Sequence, residues 1–152
     1  MEASLPEKVY KVPNLTVDSI VTKSCPQTNE PLVLLITRGR PPFEGMLAFP
    51  GGFVDYGEDP KDAVLRELRE ECNVEGKAPR LVTVAGKPDR DPRKHVVSIV
   101  YHVQVDPTHE PKAGDDARTA QYYSLLRTEN EAEMAFDHKE ILREFMRQEK
   151  LL

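Results

Sequence analysis

The chain has 152 residues, 21 of them basic and 26 acidic, for a formal net charge of -5 at pH 7. That length suits one domain able to bury a core without staples, and the acid excess argues against a general nucleic-acid or membrane-surface binder, since either attracts cations. The only two cysteines, Cys25 and Cys72, have neither close spacing nor a partnering His cluster, so they suggest no disulfide framework and no zinc site and fit a reducing cytosol.

The opening MEASLPEKVY lacks a basic segment followed by an apolar one, and no later apolar run approaches the roughly 20 residues of a membrane span. An untargeted, soluble, cytoplasmic protein is expected. Residues 9–23 alternate loosely, with Val12, Leu15, Val17, Ile20 and Val21 at β-prone positions, which predicts one or two strands. Residues 25–31 (CPQTNEP) read as a turn, and residues 32–37 (LVLLIT) as a strand buried on both faces.

Residues 38–45 (RGRPPFEG) combine two prolines, two glycines and two arginines and form a loop. Arg38 and Arg40 are candidates to face an anionic ligand, the alternative being solvated loop arginines. Residues 46–49 give a short strand leading into Pro50-Gly51-Gly52. Beyond the central stretch, residues 77–80 read as a polar connector, 81–85 as a short strand, and 88–94 (PDRDPRK) as a charged loop. Residues 95–105 (HVVSIVYHVQV) are a strand rich in β-branched and aromatic residues, and residues 106–118 are a loop long enough to suggest a functional role. Residues 119–125 are a strand carrying Tyr122 and Tyr123. Asp137 with Glu140 three residues later has capping-box spacing, and Ile141, Leu142, Phe145 and Met146 form the apolar face of a docked C-terminal helix. With no repeat or linker, the pattern predicts one α/β or α+β sandwich domain.

The chemistry concentrates in residues 51–74, GGFVDYGEDPKDAVLRELREECNV. Asp59-Pro60 is a helix start, because Asp caps free N–H groups and Pro is tolerated at the first helical position. Asn73, which tolerates the left-handed conformation, ends the helix. At 3.6 residues per turn, Val64, Leu65, Leu68 and Cys72 share one side, Glu67, Glu70 and Glu71 an adjacent arc, and Arg66 and Arg69 the remaining face. Like charges so spaced cost only roughly 0.2–0.5 kcal/mol per pair, so a solvated face is one reading. The other is a cation site: Gly51 and Gly52 permit close backbone approach, and carbonyls and carboxylates are hard oxygen ligands that favour Mg²⁺ or Mn²⁺ bridging to phosphates.

The spacing amounts to a signature: Gly52, five residues, Glu58, seven residues, then Arg66-Glu67-Leu68-Arg69-Glu70-Glu71-Cys72-Asn73-Val74. It closely resembles the Nudix box, GX5EX7REUXEEXGU, where U is a bulky apolar residue. Asn73 is the one departure, standing where the pattern has Gly. Weaker similarity to the ADP-ribose pyrophosphatase-like branch lies in LLITRGRPPFEGMLAFPGG, DRDPRKHVVSIVY, AGDDARTAQYY and MAFDHKEIL.

The resemblance implies a Nudix α/β/α sandwich spanning residues 1–152, with a mixed β-sheet between the box helix and a C-terminal helix. It implies divalent-metal-dependent hydrolysis of a nucleoside diphosphate linked to another moiety, first of all ADP-ribose to AMP and ribose 5-phosphate. The alternatives are a hydrolase of nucleoside triphosphates or dinucleoside polyphosphates, and a non-catalytic sensor of nucleotide sugars. Carried over by position, Glu67, Glu70 and Glu71 are the principal metal ligands, with the Gly51 carbonyl an addition, and Glu67 is a candidate general base. Glu58 is expected either to bind a further metal or to support the loop, and Arg66 to orient a glutamate. Asp115 or Asp116 is a candidate late acid, and Phe43, Tyr122 and Tyr123 are candidates to stack on a base, with at most one tyrosine facing the site. Arg90 and His95 are weaker candidates to meet a phosphate or ribose. A small nucleotide is the expected partner, with a homodimer the assembly the branch suggests.

Overall fold

The apolar run predicted as a doubly buried strand is the hinge of the architecture in the computed structural model, which describes residues 9–152. The opening segment read as untargeted falls largely outside the described residues. In chain order the elements are β1 (Asn14–Ile20), β2 (Thr22–Ser24), β3 (Pro31–Arg38), β4 (Leu47–Ala48), β5 (Gly51–Phe53), α1 (Pro60–Cys72), β6 (Gly76–Ala85), β7 (Val96–Val105), β8 (Ala117–Ser124), α2 (Leu125–Glu131) and α3 (His138–Gln148). The strands form two four-stranded sheets. One is mixed, ordered β5-β1-β7-β6, with β1 and β7 parallel; the other is antiparallel, with β2, β4 and β8 all pairing with β3.

Alternation along β3 explains why LVLLIT is continuously apolar. Leu34 and Ile36 join a cluster with Val17, Val21, Ala63, Val64, Leu68 and Cys72 on the α1 side. Val33 and Leu35 join the opposite cluster, with Ile20, Leu125, Ile141, Leu142, Phe145 and Met146 on the α3 side. Successive side chains of a strand point to opposite faces, so a strand between two helical layers needs apolar residues at every position. This gives the expected α/β/α sandwich, with its strands divided into a mixed and an antiparallel sheet.

Three local expectations change. Residues 77–80 are not a connector: β6 is one ten-residue strand antiparallel to β7, its register interrupted between Lys77 and Arg80, where Ala78 has φ +50°. The irregularity breaks the two-residue period, and an edge strand with Leu81 and Val84 more than half exposed tolerates polar residues. Helix α2 was not predicted; it is only seven residues long, and Ser124 caps it by accepting from the Arg127 N–H at 3.3 Å. Asp137 makes no side-chain cap bond to α3, because its carboxylate is held by the Arg90 guanidinium through bonds of 2.7 and 2.9 Å. The apolar face of α3 is buried as its spacing requires.

Among the described residues, no helix is long and apolar enough to cross a membrane. Leu142 is fully buried against β3, so Leu142→Ala is expected to cost about 2–5 kcal/mol in urea unfolding, whereas Leu81→Ala on the exposed edge should stay within about 0.5 kcal/mol.

Candidate functional site

Helix α1 is set in register by its two ends. The Asp59 carboxylate accepts from the Lys61 N–H at 2.9 Å, Pro60 opens the first turn, and Asn73 ends the helix at φ +54°, ψ +38°. Ala63, Val64, Leu68 and Cys72 are buried, which turns Glu67, Glu70 and Glu71 toward a cleft beside β5. Glu71 accepts from the Gly51 N–H at 2.7 Å and is only 7% exposed. A Cβ at position 52 would run into the Glu67 carboxyl, so glycine there leaves that carboxyl its place beside β5.

Arg66 reaches round from its own face of the helix and threads these acids together. Its side chain reaches back along the helix: Nε and Nη2 donate to the two Glu58 oxygens at 2.8 and 2.9 Å, and Nη2 also donates to the Phe53 carbonyl at 3.1 Å. Nη1 donates to Glu67 at 2.9 Å and to Glu70 at 3.1 Å. The hydrogen bonds from Arg66, with another from the Asp55 N–H, hold the Glu58 carboxyl down at about 2. Burial pushes Glu67 upward, with Glu70 and Asp115 adding to the rise and Arg66 opposing it. Burial also pushes Glu71 up to about 8, against the Gly51 N–H, with the Glu67 and Asp18 charges adding to the rise.

The cleft has a volume of about 460 Å³, within the usual range for small-molecule sites. It is also lined by Arg38, Arg90, Arg93, Phe136 and His138. The Arg38 Nε donates to the Pro42 carbonyl at 2.7 Å, and its guanidinium lies 5.0 Å from the Phe136 ring centre. Arg93 is held on the buried Asp91 through bonds of 2.8 and 3.1 Å. The buried His138 Nδ1 accepts from the Phe49 N–H at 3.1 Å, so its proton sits on Nε2, 3.7 Å from Asp18. Burial lowers the His138 pKa, with the Asp18 and Asp137 charges opposing it.

The structure brings Arg38, Arg40, Gly51, Glu67, Glu70, Glu71, Asp115 and Asp116 to one cleft. Arg40 is exposed there and pairs with Asp116 at 2.7 Å. Glu58 and Arg66 are not among the residues lining it; they stand behind the glutamates. Phe43 also lies outside, packed edge-on against Phe136 at 4.8 Å. Neither tyrosine faces the cleft: Tyr122 packs beneath Lys23, and Tyr123 packs against the α3-side core. Arg90 lines the cleft while committed to Asp137; His95 does not, and donates through Nε2 to the Gly86 carbonyl at 2.9 Å.

Sequence reasoning missed Asp18, Asp91, Arg93, Phe136 and His138. Asp18 carried a faint signal, an acid inside the apolar run of β1; the others lie in segments whose approach to the cleft depends on the sheet topology.

Among the described residues, no three His, Cys, Asp or Glu side chains converge closely enough in this arrangement to hold a metal ion. Arg66 engages Glu67 and Glu70, and the Gly51 N–H engages Glu71. The donor set nevertheless fits a hard divalent cation. All its atoms are oxygens, and Glu67 and Glu71 are raised by burial and by neighbouring acids, Glu70 and Asp115 acting on Glu67 and Glu67 and Asp18 on Glu71.

A family model described as the NUDIX domain matches residues 17–145. The chain belongs to the Nudix family. It is 42% identical over 140 residues to a protein of Methanocaldococcus jannaschii named ADP-ribose pyrophosphatase, covering 92% of this chain and 77% of that one. Among solved structures it resembles a MutT/nudix family protein from Enterococcus faecalis, with a TM-score of 0.84 and 31% identity over 96% of this chain and 64% of that one. It also resembles the Nudix domain of Shewanella oneidensis NrtR, solved with ADP ribose, with a TM-score of 0.82 and 25% identity over 94% and 91% of the two chains.

Two pH predictions follow from this Nudix site. Glu58 has its folded pKa lowered from 4.5 to about 2, so its contribution to stability is present above pH 4.5 and lost as pH falls toward 2. Arg66→Ala should return Glu58 to the ordinary carboxylate range in a carbon-13 NMR titration and remove that acid-side loss. Glu71 has its folded pKa raised from 4.5 to about 8, so it favours folding below pH 4.5 and progressively less as pH rises through 8. In EDTA, Glu71→Gln should therefore melt higher than the wild type at pH 9, with the gap closing at pH 5.

Proposed function

We propose that this Nudix domain is a divalent-metal-dependent pyrophosphohydrolase that cleaves a nucleoside diphosphate linked to another moiety, with ADP-ribose as the first substrate. The observation that carries this reading is a single cleft lined both by Glu67, Glu70 and Glu71 and by Arg38 and Arg93. Carboxylates and guanidiniums in one cleft suit a polyanion bound together with cations. The similarity to a named ADP-ribose pyrophosphatase and to an ADP-ribose-bound Nudix domain supports the choice of substrate.

In this reading Glu67, Glu70, Glu71 and the Gly51 carbonyl would hold Mg²⁺ or Mn²⁺. When bound, the cation offsets phosphate charge and lowers the pKa of a coordinated water. Water adds across the anhydride: its oxygen joins one phosphorus, the bridging oxygen leaves with the other, and AMP and ribose 5-phosphate result. Glu67 or Asp115, both lining the cleft, takes the proton. Arg66 orients Glu67 and Glu70, and Glu58 supports Arg66 from behind. Among the described residues the Arg38 side chain donates through Nε to the Pro42 carbonyl, and its remaining N–H groups are placed to meet a phosphate oxygen. Arg40 stands at the mouth with Asp116. Phe43 acts indirectly, by buttressing Phe136. The same reading takes the chain as one cytoplasmic Nudix domain with a small nucleotide as partner and no nucleic acid, and a homodimer as the assembly to test.

Incubation with Mg²⁺ and a panel of nucleoside diphosphate derivatives, triphosphates and dinucleoside polyphosphates should show turnover of ADP-ribose, with AMP and ribose 5-phosphate identified as products. Tight ADP-ribose binding in calorimetry without hydrolysis at saturating metal would overturn the reading. Glu70→Gln should lower turnover by more than about 100-fold, beyond the 10–100-fold typical of outer-shell partners of a metal, with an unchanged circular dichroism spectrum.

A further inference from the structure

The one departure from the box pattern, Asn73, sits where the helix meets the long loop between β7 and β8. The last carbonyls of a helix have no partners within it and must find them elsewhere. Here the loop supplies them. The Gly114 N–H donates to the Glu71 carbonyl at 2.9 Å, and the Lys112 N–H donates to the Cys72 carbonyl at 2.8 Å. The His109 Nε2–H donates to the Asn73 carbonyl at 2.9 Å. In the reverse direction, the Asn73 Nδ2 donates to the Lys112 carbonyl at 2.7 Å, a bond glycine could not make.

The loop is seated tightly. A Cβ on Gly114 would collide with the Glu70 carbonyl, so no other residue could lie this close to the helix end. The next two residues are the acids: Asp115, at φ +46°, and Asp116, whose carbonyl accepts from the Gly39 N–H at 3.0 Å and whose carboxylate pairs with Arg40. Both line the cleft, and Asp115 is near enough for its charge to act on Glu67.

We infer that Asn73 is a positioning residue: its side-chain amide latches residues 109–114 to the end of α1 and thereby sets Asp115 over the box glutamates. Loop and helix end are then one unit. Opening the loop would leave three helix carbonyls without their partners, and losing the Asn73 amide would release the Lys112 carbonyl.

Hydrogen exchange read residue by residue, together with steady-state kinetics on Asn73→Gly and Asn73→Asp, tests this. Both residues accept the left-handed backbone that ends the helix, and neither side chain can donate to Lys112 at neutral pH. The amides of Lys112 and Gly114 are expected to exchange about tenfold faster in both variants, the scale of one lost hydrogen bond. The Asn73 amide, bonded to the Arg69 carbonyl within the helix, should keep its wild-type rate. With ADP-ribose, kcat should fall about tenfold while KM moves less than threefold, because the loop acid is displaced more than the binding wall. Wild-type exchange at Lys112 and Gly114 would overturn the latch. Faster exchange at Asn73 itself would too, since the helix end would then simply fray. Wild-type kcat with a loosened loop would overturn its role in positioning Asp115. The kinetic arm rests on the pyrophosphohydrolase reading and the exchange arm does not, so a wild type inactive on every substrate would refute that reading while exchange still decides the latch.

Discussion

Crowding carboxylates at the edge of a core is the constraint on which the rest of this structure depends. Glu71 is nearly buried, Glu67 is well covered, and Glu58 and Glu70 lie within reach of the same guanidinium. Such a group is tolerable only if positive charge or oriented N–H groups reach every member. Arg66 serves three of them and the Gly51 N–H serves the fourth. What these groups leave unbalanced, shown by the raised pKa of Glu67 and of Glu71, is the attraction a divalent cation would meet.

The fold delivers this crowding through the register of one helix. Asp59 and Asn73 bound α1 so that Val64, Leu68 and Cys72 face β1, β3 and β7. The glutamates then have no direction left except toward β5. Gly52 completes the arrangement, since a side chain there would displace the Glu67 carboxyl. The other lining side chains have their own internal supports: Asp91 holds Arg93, Asp137 holds Arg90, and the Phe49 N–H fixes the tautomer of His138. Rigid partners for charged side chains reduce the freedom lost when a ligand binds.

Helix α1 was legible to the residue because all its determinants are local. Capping, dipole placement and the 3.6-residue period act within a few positions, and Asp59, Pro60 and Asn73 sit where those rules put them. Strand β3 was legible because burial on both faces leaves a continuous apolar run. Strand β6 was legible only over residues 81–85, because an irregularity at Ala78 disturbs the period of its first half. The role of Asp137 was misread because a carboxylate preceding a helix has two possible partners, and the ion pair with Arg90, 47 residues earlier, prevailed over the local cap.

Sequence alone determined the family signature, the helix and which glutamates lie on a common arc, since each follows from spacing along one short segment. Only the tertiary structure decided that Arg66 joins Glu58 to Glu67 and Glu70, that Glu58 lies outside the cleft lining, and that Asp18, Arg93, Phe136 and His138 line it. The position of residues 109–114 on the end of α1 belongs to the same class. Such placements are set by sheet order and long-range hydrogen bonds, and neighbouring residues in the chain carry no trace of them.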